Sequence, residues 1–306
     1  MEALATRGPA ATGSLAAPAE ALPRLRAPEA FGGPSGGAAL LLSSSLSVQV
    51  AAALASTQFG LLSPGGVAAI SITIAALALL ARRRSRLAEW STARWRAVTL
   101  LGLTLAANSV LFYLALDHMP LGTLVTIEFL GPLALALGSA RARHHVVAVG
   151  CALAGVALVS GASPDVDATG LLLALAAATG FAAYILASRR AGAFPDARQS
   201  LAVALAIAAL LCLPLTVGAA TRIDGLAVIA VLVGVAFFGR ALPYGLEMLA
   251  FRRLRAGQAG VLLSAEPAIG AAVGIVALGE TARPLQVVGI ALVVGAGALV
   301  LRDASV

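Results

Sequence analysis

An all-α polytopic membrane protein is the fold class this sequence predicts, and three observations predict it. Of 306 residues, 60% are hydrophobic and 11% charged, with a mean hydropathy of +0.96. A soluble domain carries roughly 25% charged residues. The apolar residues also gather into ten runs, near 38–58, 64–81, 97–116, 120–140, 146–162, 168–188, 199–218, 226–251, 256–278 and 284–301, each close to the length that crosses a hydrocarbon core. The third observation is charge placement. All 21 basic residues are arginine. With the N-terminus inside, 18 of them occupy cytoplasmic segments (Arg7, Arg24, Arg26, Arg82, Arg83, Arg84, Arg86, Arg94, Arg96, Arg141, Arg143, Arg189, Arg190, Arg198, Arg252, Arg253, Arg255 and Arg302). Asp117, Asp165, Asp167, Asp224 and Glu280 fall outside with Arg222 and Arg283. This is the asymmetry of the positive-inside rule. It predicts ten transmembrane helices with both termini cytoplasmic, in the cell's inner (plasma) membrane.

Residues 1–37 mix Ala, Pro, Gly, Glu and Arg without apolar periodicity and read as a disordered cytoplasmic tail. They contain no apolar h-region, so no secretory cleavage is expected. The first two runs are separated only weakly, by Gln58–Gly66. Five runs in each half, 38–162 and 168–302, is an odd number, so homologous halves would insert with opposite orientation. Such inverted repeats recur in transporters. A shift of 135 residues aligns Gly122 with Gly257 and Pro132 with Pro267, a repeat too faint to carry the point alone. Gly270 and Gly274 form a GxxxG pair that lets helices approach closely. Cys151 and Cys212 both lie inside apolar runs and read as small buried hydrophobes, not as a disulfide or metal ligands.

An ionised side chain at the bilayer centre costs about 2.5–3.5 kcal/mol on insertion scales, so such residues mark substrate or proton paths by default. Four qualify: Glu128, Arg240, Glu247 and Glu266. Glu128 stands four residues before Pro132, and Glu266 directly before Pro267. A membrane proline frees a carbonyl that needs another partner, so an acid beside it marks a local binding site. The alternative is a protonated Glu hydrogen-bonded to a neighbouring helix for packing. Arg240, Tyr244 and Glu247 are spaced by four and three, which predicts one helical stripe facing one partner or cavity, with Pro243 bending the helix between them. Glu247 has a second reading, snorkelling toward Arg252 at the inner interface. Asn108, Phe112 and Tyr113 in the third run and Phe181 and Tyr184 in the sixth are further candidates to line a cavity, the aromatics equally to anchor packing. Gln49 and the Ser43–Ser45 run give the first helix a polar side, unless the hydroxyls bond back to their own helix.

Enzyme chemistry lacks material. His118, His144 and His145 have no companions at metal-ligand spacing, and no GxSxG, P-loop or GxGxxG occurs, so no metal or cofactor is expected. Without a P-loop the chain does not itself drive transport with ATP. Aromatic and basic residues do not interleave as nucleic-acid binding requires. The expected partners are a small-molecule substrate, the lipid bilayer and protons, in a monomer or homodimer.

Three stretches, NSVLFYLALDHMPLGTLVTIEFLGP (Asn108–Pro132), ALPYGLEMLAFRRL (Ala241–Leu254) and LLSAEPAIGAAVGIVALGETARPLQVVGIALV (Leu262–Val293), resemble the EamA-type drug/metabolite transporter superfamily and, within it, the threonine/homoserine exporter subgroup. The resemblance spans about 38–302. It implies ten helices in two inverted five-helix repeats, a central cavity, and export of small metabolites, amino acids among them. The cavity positions it implies are Gln49, Asn108, Tyr113, Glu128, Phe181, Tyr184, Tyr244, Glu247 and Glu266. The sequence departs from the family pattern at Ser56 and Ser71, where relatives often carry basic residues, and at Arg240, where they commonly carry a small or hydroxyl residue. A zwitterion needs one cationic and one anionic partner, so Arg240 is expected to meet its carboxylate and Glu266 or Glu128 its ammonium. Rival readings are another substrate on the same fold, a non-transporting membrane scaffold and, least, a membrane enzyme.

Overall fold

The structure, a computed structural model, describes residues 33–81, 87–138, 143–162, 166–250, 253–254 and 256–303. The tail through residue 32 and the basic residues Arg82, Arg83, Arg84, Arg86, Arg141, Arg252 and Arg255 lie outside the described residues.

The first half contains α1 (Gly33–Ser56), α2 (Phe59–Leu62), α3 (Pro64–Leu80), α4 (Thr92–Leu116), α5 (Leu121–Glu128), α6 (Leu130–Gly138) and α7 (Arg143–Ala162). The second contains α8 (Ala168–Gly192), α9 (Ala197–Leu211), α10 (Leu213–Ala220), α11 (Leu226–Ala236), a π-helical turn at Phe237–Ala241, α12 (Leu242–Ala250), α13 (Ala256–Leu263), α14 (Glu266–Leu278) and α15 (Pro284–Asp303). Local chemistry sets the ends. The side chains of Ser63, Ser91, Asp167 and Asp196 accept from the backbone amides of Gly66, Arg94, Gly170 and Gln199, satisfying donors that a helix start leaves open. Pro64, Pro214 and Pro267 stand in first turns, where the missing N–H is harmless. Gly279 closes α14 in the left-handed region at φ +70°, as a C-terminal glycine commonly does.

Five helical segments are long and apolar enough to cross a membrane: 35–56, 92–116, 168–192, 226–247 and 261–278. The pair α9 and α10 makes a sixth if its 65° bend is one broken span. Pro214 lacks the N–H that would continue α9 past that bend. Four more apolar helices, 64–80, 121–135, 147–159 and 284–299, are shorter. Large apolar side chains stand on the outside, such as Leu226 at 80% and Val276 at 86% exposure, while Ser44, Ser45, Ser47 and Gln49 are buried. An apolar exterior around polar interior groups is what lipid as solvent selects.

Several boundaries differ from those expected. The first helix begins at Gly33, not near residue 38, because Pro34 falls in its first turn and is tolerated there. Helix α4 starts at Thr92, not near 97, because Ser91 caps it. The fourth, eighth and ninth apolar runs are not continuous α-helices. They break at Phe129, at the π turn and at Ser264–Ala265.

Packing relates the halves in a regular way. α4 lies along α8, and α1 lies along α11, the π turn and α12. α3 packs on α9 and α10, α5 on α14, and α7 on α15. Counting apolar segments in order, third-with-sixth answers first-with-eighth, and the remaining three pairs map onto themselves when the halves are exchanged. Gly155 of α7 and Gly289 of α15 meet reciprocally, since a Cβ on either would come within 2.6 Å of the other's carbonyl oxygen.

Candidate functional site at the helix breaks

The site begins with the polar face of α1. Ser44, Ser45 and Ser47 are covered, and each hydroxyl reaches the second half of the chain. Ser44 Oγ donates to Glu247 Oε1 at 2.9 Å and lies 3.4 Å from the Pro243 carbonyl. Ser45 Oγ donates to Glu266 Oε1 at 3.2 Å, and Ser47 Oγ to the Phe238 carbonyl at 2.6 Å. The last bond has a backbone cause. Pro243 cannot donate to the carbonyl one turn before it, and the helix there runs as a π turn, a form frequent at functional sites. The α1 hydroxyls then serve carbonyls in and beside that turn, the usual repair within a membrane.

Arg240 sits in the π turn. Its Nη2 donates to Ser109 Oγ on α4 at 3.1 Å, and Tyr113, one turn along α4, lies within range of its charge. Beside Ser109, the Asn108 side chain lies within electrostatic reach of Glu128. Gly180 of α8 packs closely on Asn108, where a Cβ would come within 3.3 Å of Oδ1, tighter than an ordinary contact. Phe181 and Tyr184 follow on α8, their rings stacked 6.1 Å apart at 12°.

The two breaks that carry Glu128 and Glu266 converge. A Cβ on Gly297 of α15 would come within 2.7 Å of Phe129 and 2.8 Å of Ser264, so only glycine lets α15 cross both breaks at once. Glu128 is within electrostatic reach of Glu266, and Glu266 of Glu247. All three carboxyls and Arg240 are only half-buried by surface, although the acids lie deep among helices. Two buried acceptors point to unmet bonds: Asn108 Oδ1 and Gln49 Oε1 have no partner among the described residues.

The expectations fare unevenly. Arg240 and Glu247 do not face one partner, since Arg240 bonds α4 and Glu247 bonds α1. The π turn inserts an extra residue between them and cancels the 3.6-residue register on which the stripe rested. The irregularity centres on Phe237–Ala241, ahead of Pro243, and the break near Glu128 is at Phe129, ahead of Pro132. Tyr244 belongs to α12, but its side chain lies outside the described residues, as do those of His144 and His145. Tyr113 is buried against Phe59 and Phe112, each ring 5.8 Å away. Ser56 and Ser71 bond back to Ala53 and Ala68 of their own helices and reach nothing in the site. Of the GxxxG pair, Gly270 sits at a close crossing, packed on Val125 of α5 beside Ala271 on Gly122, whereas Gly274 faces the Glu280 carboxylate.

Ser47, Ser109 and Glu280 enter only with the structure. Ser47 is three residues from Ser44 and shares its helical face, a signal present in the sequence. Glu280 had none. Its Oε1 accepts from the Leu121 amide at 2.8 Å and the carboxylate also takes the Gly122 amide, capping α5 from the loop after α14. Burial holds its carboxyl above the usual carboxylate range, against the opposing pull of those two amides. Nearby, His118 Nδ1 lies 3.4 Å from Asp167 Oδ2.

The profile of the EamA-like transporter family matches residues 168–302. The threonine/homoserine exporter RhtA of Escherichia coli (strain K12) is 36% identical over 263 residues, which cover 84% of this chain and 88% of that protein. RhtA of Salmonella typhimurium (strain SL1344) is 35% identical with the same coverage. A solved crystal structure, 21% identical, superposes with a TM-score of 0.56 over 89% of this chain and 99% of its own, a likeness of fold. The two RhtA proteins are exporters, and with 35–36% identity to them along most of both chains, the protein belongs to the EamA-like transporter family.

Proposed function

We propose that this protein is a secondary-active exporter of small amino acids of the threonine/homoserine kind, working by alternating access around the interior site. The observation that carries the reading is the presence of one guanidinium and three carboxyls, the acids in electrostatic reach of one another in series, inside an otherwise apolar bundle with irregularities at or beside Glu128, Arg240 and Glu266. Ionisable groups are costly there and mark substrate or ion paths, and broken helices at matching places in two halves mark transporter sites. The naming of the bacterial relatives as threonine/homoserine exporters supports the substrate class.

The proposed frame is ten spans as two inverted five-helix repeats, 38–162 and 168–302, with both termini cytoplasmic in the inner membrane. The five long helices, the bent pair and the four shorter apolar helices make ten segments, and the exchange pattern of their packing suits a pseudo-two-fold axis. Arg240 takes the substrate carboxylate, and Glu128 or Glu266 its ammonium. A carboxyl in this space that alternates between protonated and ionised forms couples proton entry to substrate exit while the halves rock. Gln49, Tyr113, Phe181, Tyr184 and Glu247 complete the lining, with Pro132, Pro243 and Pro267 near the breaks. Membrane potential is the other available drive, and the working unit is a monomer or homodimer.

The test is efflux of labelled threonine and homoserine from proteoliposomes, with and without an imposed pH gradient. Efflux that responds to the gradient is expected. Folded protein with no flux above empty liposomes overturns the substrate assignment and leaves the fold standing.

A further inference from the structure

The fourth and ninth apolar runs break at Phe129 and at Ser264–Ala265, so each consists of two half-helices. In the ten-span frame proposed above, α5 and α14 are the outer halves, and α6 and α13 the inner ones. Exchanging the inverted repeats carries α5 onto α13 and α14 onto α6, and so carries the outer pair onto the inner pair. A bundle alike at its two faces would show the same contact twice. This one does not. α5 packs on α14, while among the described residues no comparable packing joins α6 to α13.

The outer contact is built at backbone distance. A Cβ on Gly122 would come within 2.7 Å of the Ala271 Cα, and one on Gly270 within 3.2 Å of the Val125 Cβ. Past the end of α14, Gly279 turns the chain in the left-handed region, and the Glu280 amide donates to the Gly274 carbonyl at 3.1 Å. Gly274 has no Cβ to collide with the Glu280 carboxyl, whose Oε1 accepts from the Leu121 amide at 2.8 Å. That bond fastens the start of α5 to the loop after α14. Gly170 likewise lets the start of α8 approach His118 and Met119, and His118 Nδ1 lies 3.4 Å from Asp167 Oδ2. The turn between α4 and α5 is thus tied to the second half at two points. A cavity of about 430 Å³ adjoins it, lined by Leu116, Asp117, His118, Met119, Pro120 and Glu280. Glu128 ends α5 and Glu266 begins α14, so these two acids stand at the inner end of the pair and Glu280 at its outer end.

Resting on the exporter reading and its inverted-repeat frame, we infer that α5 and α14 are the outer gate, shut in this structure with Glu280 as its latch, and that the parted α6 and α13 mark the inward-facing state. Release of substrate to the outside then requires α5 and α14 to part while α6 and α13 close. The same contact is transferred across the membrane, as inverted repeats permit.

The experiment uses protein carrying Cys151→Ala and Cys212→Ala. Adding Val125→Cys and Gly270→Cys places two thiols at a Cβ separation of 3.2 Å, just under the roughly 3.5–4.5 Å of disulfides. Oxidation should link them and abolish threonine efflux from proteoliposomes, and reductant should restore it, while the linked protein still binds threonine. Val125→Cys alone is a second measurement that leaves Gly270 untouched. In intact cells, an impermeant thiol reagent added outside should label it faster as internal threonine rises. Glu280→Ala should raise the labelling rate without threonine by about fivefold, the worth of one hydrogen bond. Folded protein whose two thiols do not link, linked protein that exports threonine, or labelling indifferent to both threonine and Glu280→Ala overturns the gate and leaves the exporter reading standing. A parent protein with no threonine flux overturns the exporter reading and the gate with it.

Discussion

Helix α4 and the rod made by α11, the π turn and α12 occupy answering places in the two halves, yet they are built differently. α4 runs unbroken for 25 residues and offers the site neutral groups, Asn108, Ser109 and Tyr113. Its counterpart is interrupted at Phe237–Ala241 and offers charges, Arg240 and Glu247. The interruption also frees backbone groups, and α1 supplies hydroxyls to them from Ser44 and Ser47. The two helices divide the work. The continuous helix holds polar partners in fixed register, and the broken one brings charge inside, where another helix must support it.

Removing the charge of the broken rod should have the largest effect. Arg240→Ala is expected to lower threonine flux by about a hundredfold, since a desolvated charge-assisted bidentate contact is lost. Arg240→Lys should recover only part of it, because an ammonium cannot hold Ser109 and a carboxylate in the same planar fork. Both are read as initial rates in proteoliposomes. Next in size is the acid pair. Of Glu128→Gln and Glu266→Gln, one should weaken competition binding of threonine by about tenfold, and the other should flatten the pH dependence of flux while that binding holds within about threefold. Equal effects on both quantities in both variants would erase the distinction drawn between the two breaks.

Supporting bonds should matter less. Ser47→Ala removes the hydroxyl that meets the Phe238 carbonyl and is expected to lower stability in detergent by about 0.6 kcal/mol, with about 1.7 kcal/mol as an upper bound for such bonds in membranes. Ser109→Ala should cost comparably little stability but more flux, since it releases Arg240. Smallest is the loop contact. Glu280→Ala should lower stability by about 1 kcal/mol through loss of the α5 cap. The raised carboxyl of Glu280 sets a sign as well. Its folded form holds the proton more tightly, so its contribution is fully present below the usual carboxylate range and is lost as pH rises through the raised value. Glu280→Gln should therefore show a shallower fall in melting temperature with rising pH than wild type.

Much of this could be read from the sequence, for reasons that differ by element. Apolar runs and arginine placement marked the helical segments because lipid demands apolar length and the interface sorts charge. Glu128, Arg240, Glu247 and Glu266 stood out because ionisable residues are rare in such runs. What stayed hidden depended on register. The π turn changes which neighbour Arg240 meets, and no local residue pattern announces an extra residue in a turn. Ser109 and Glu280 act on partners 131 and 159 residues away, so nothing beside them in the chain reveals the role. Gly297 was invisible for a related reason. In a chain with 32 glycines, only the crossing of α15 over both breaks distinguishes it.

A substrate path between α4 and the broken rod would leave Ser109 accessible from water. In protein carrying Cys151→Ala and Cys212→Ala, Ser109→Cys should react with a membrane-impermeant thiol reagent, and threonine should slow the reaction. A thiol that is unreactive from either side, or reacts at the same rate with threonine present while transport persists, would contradict the account.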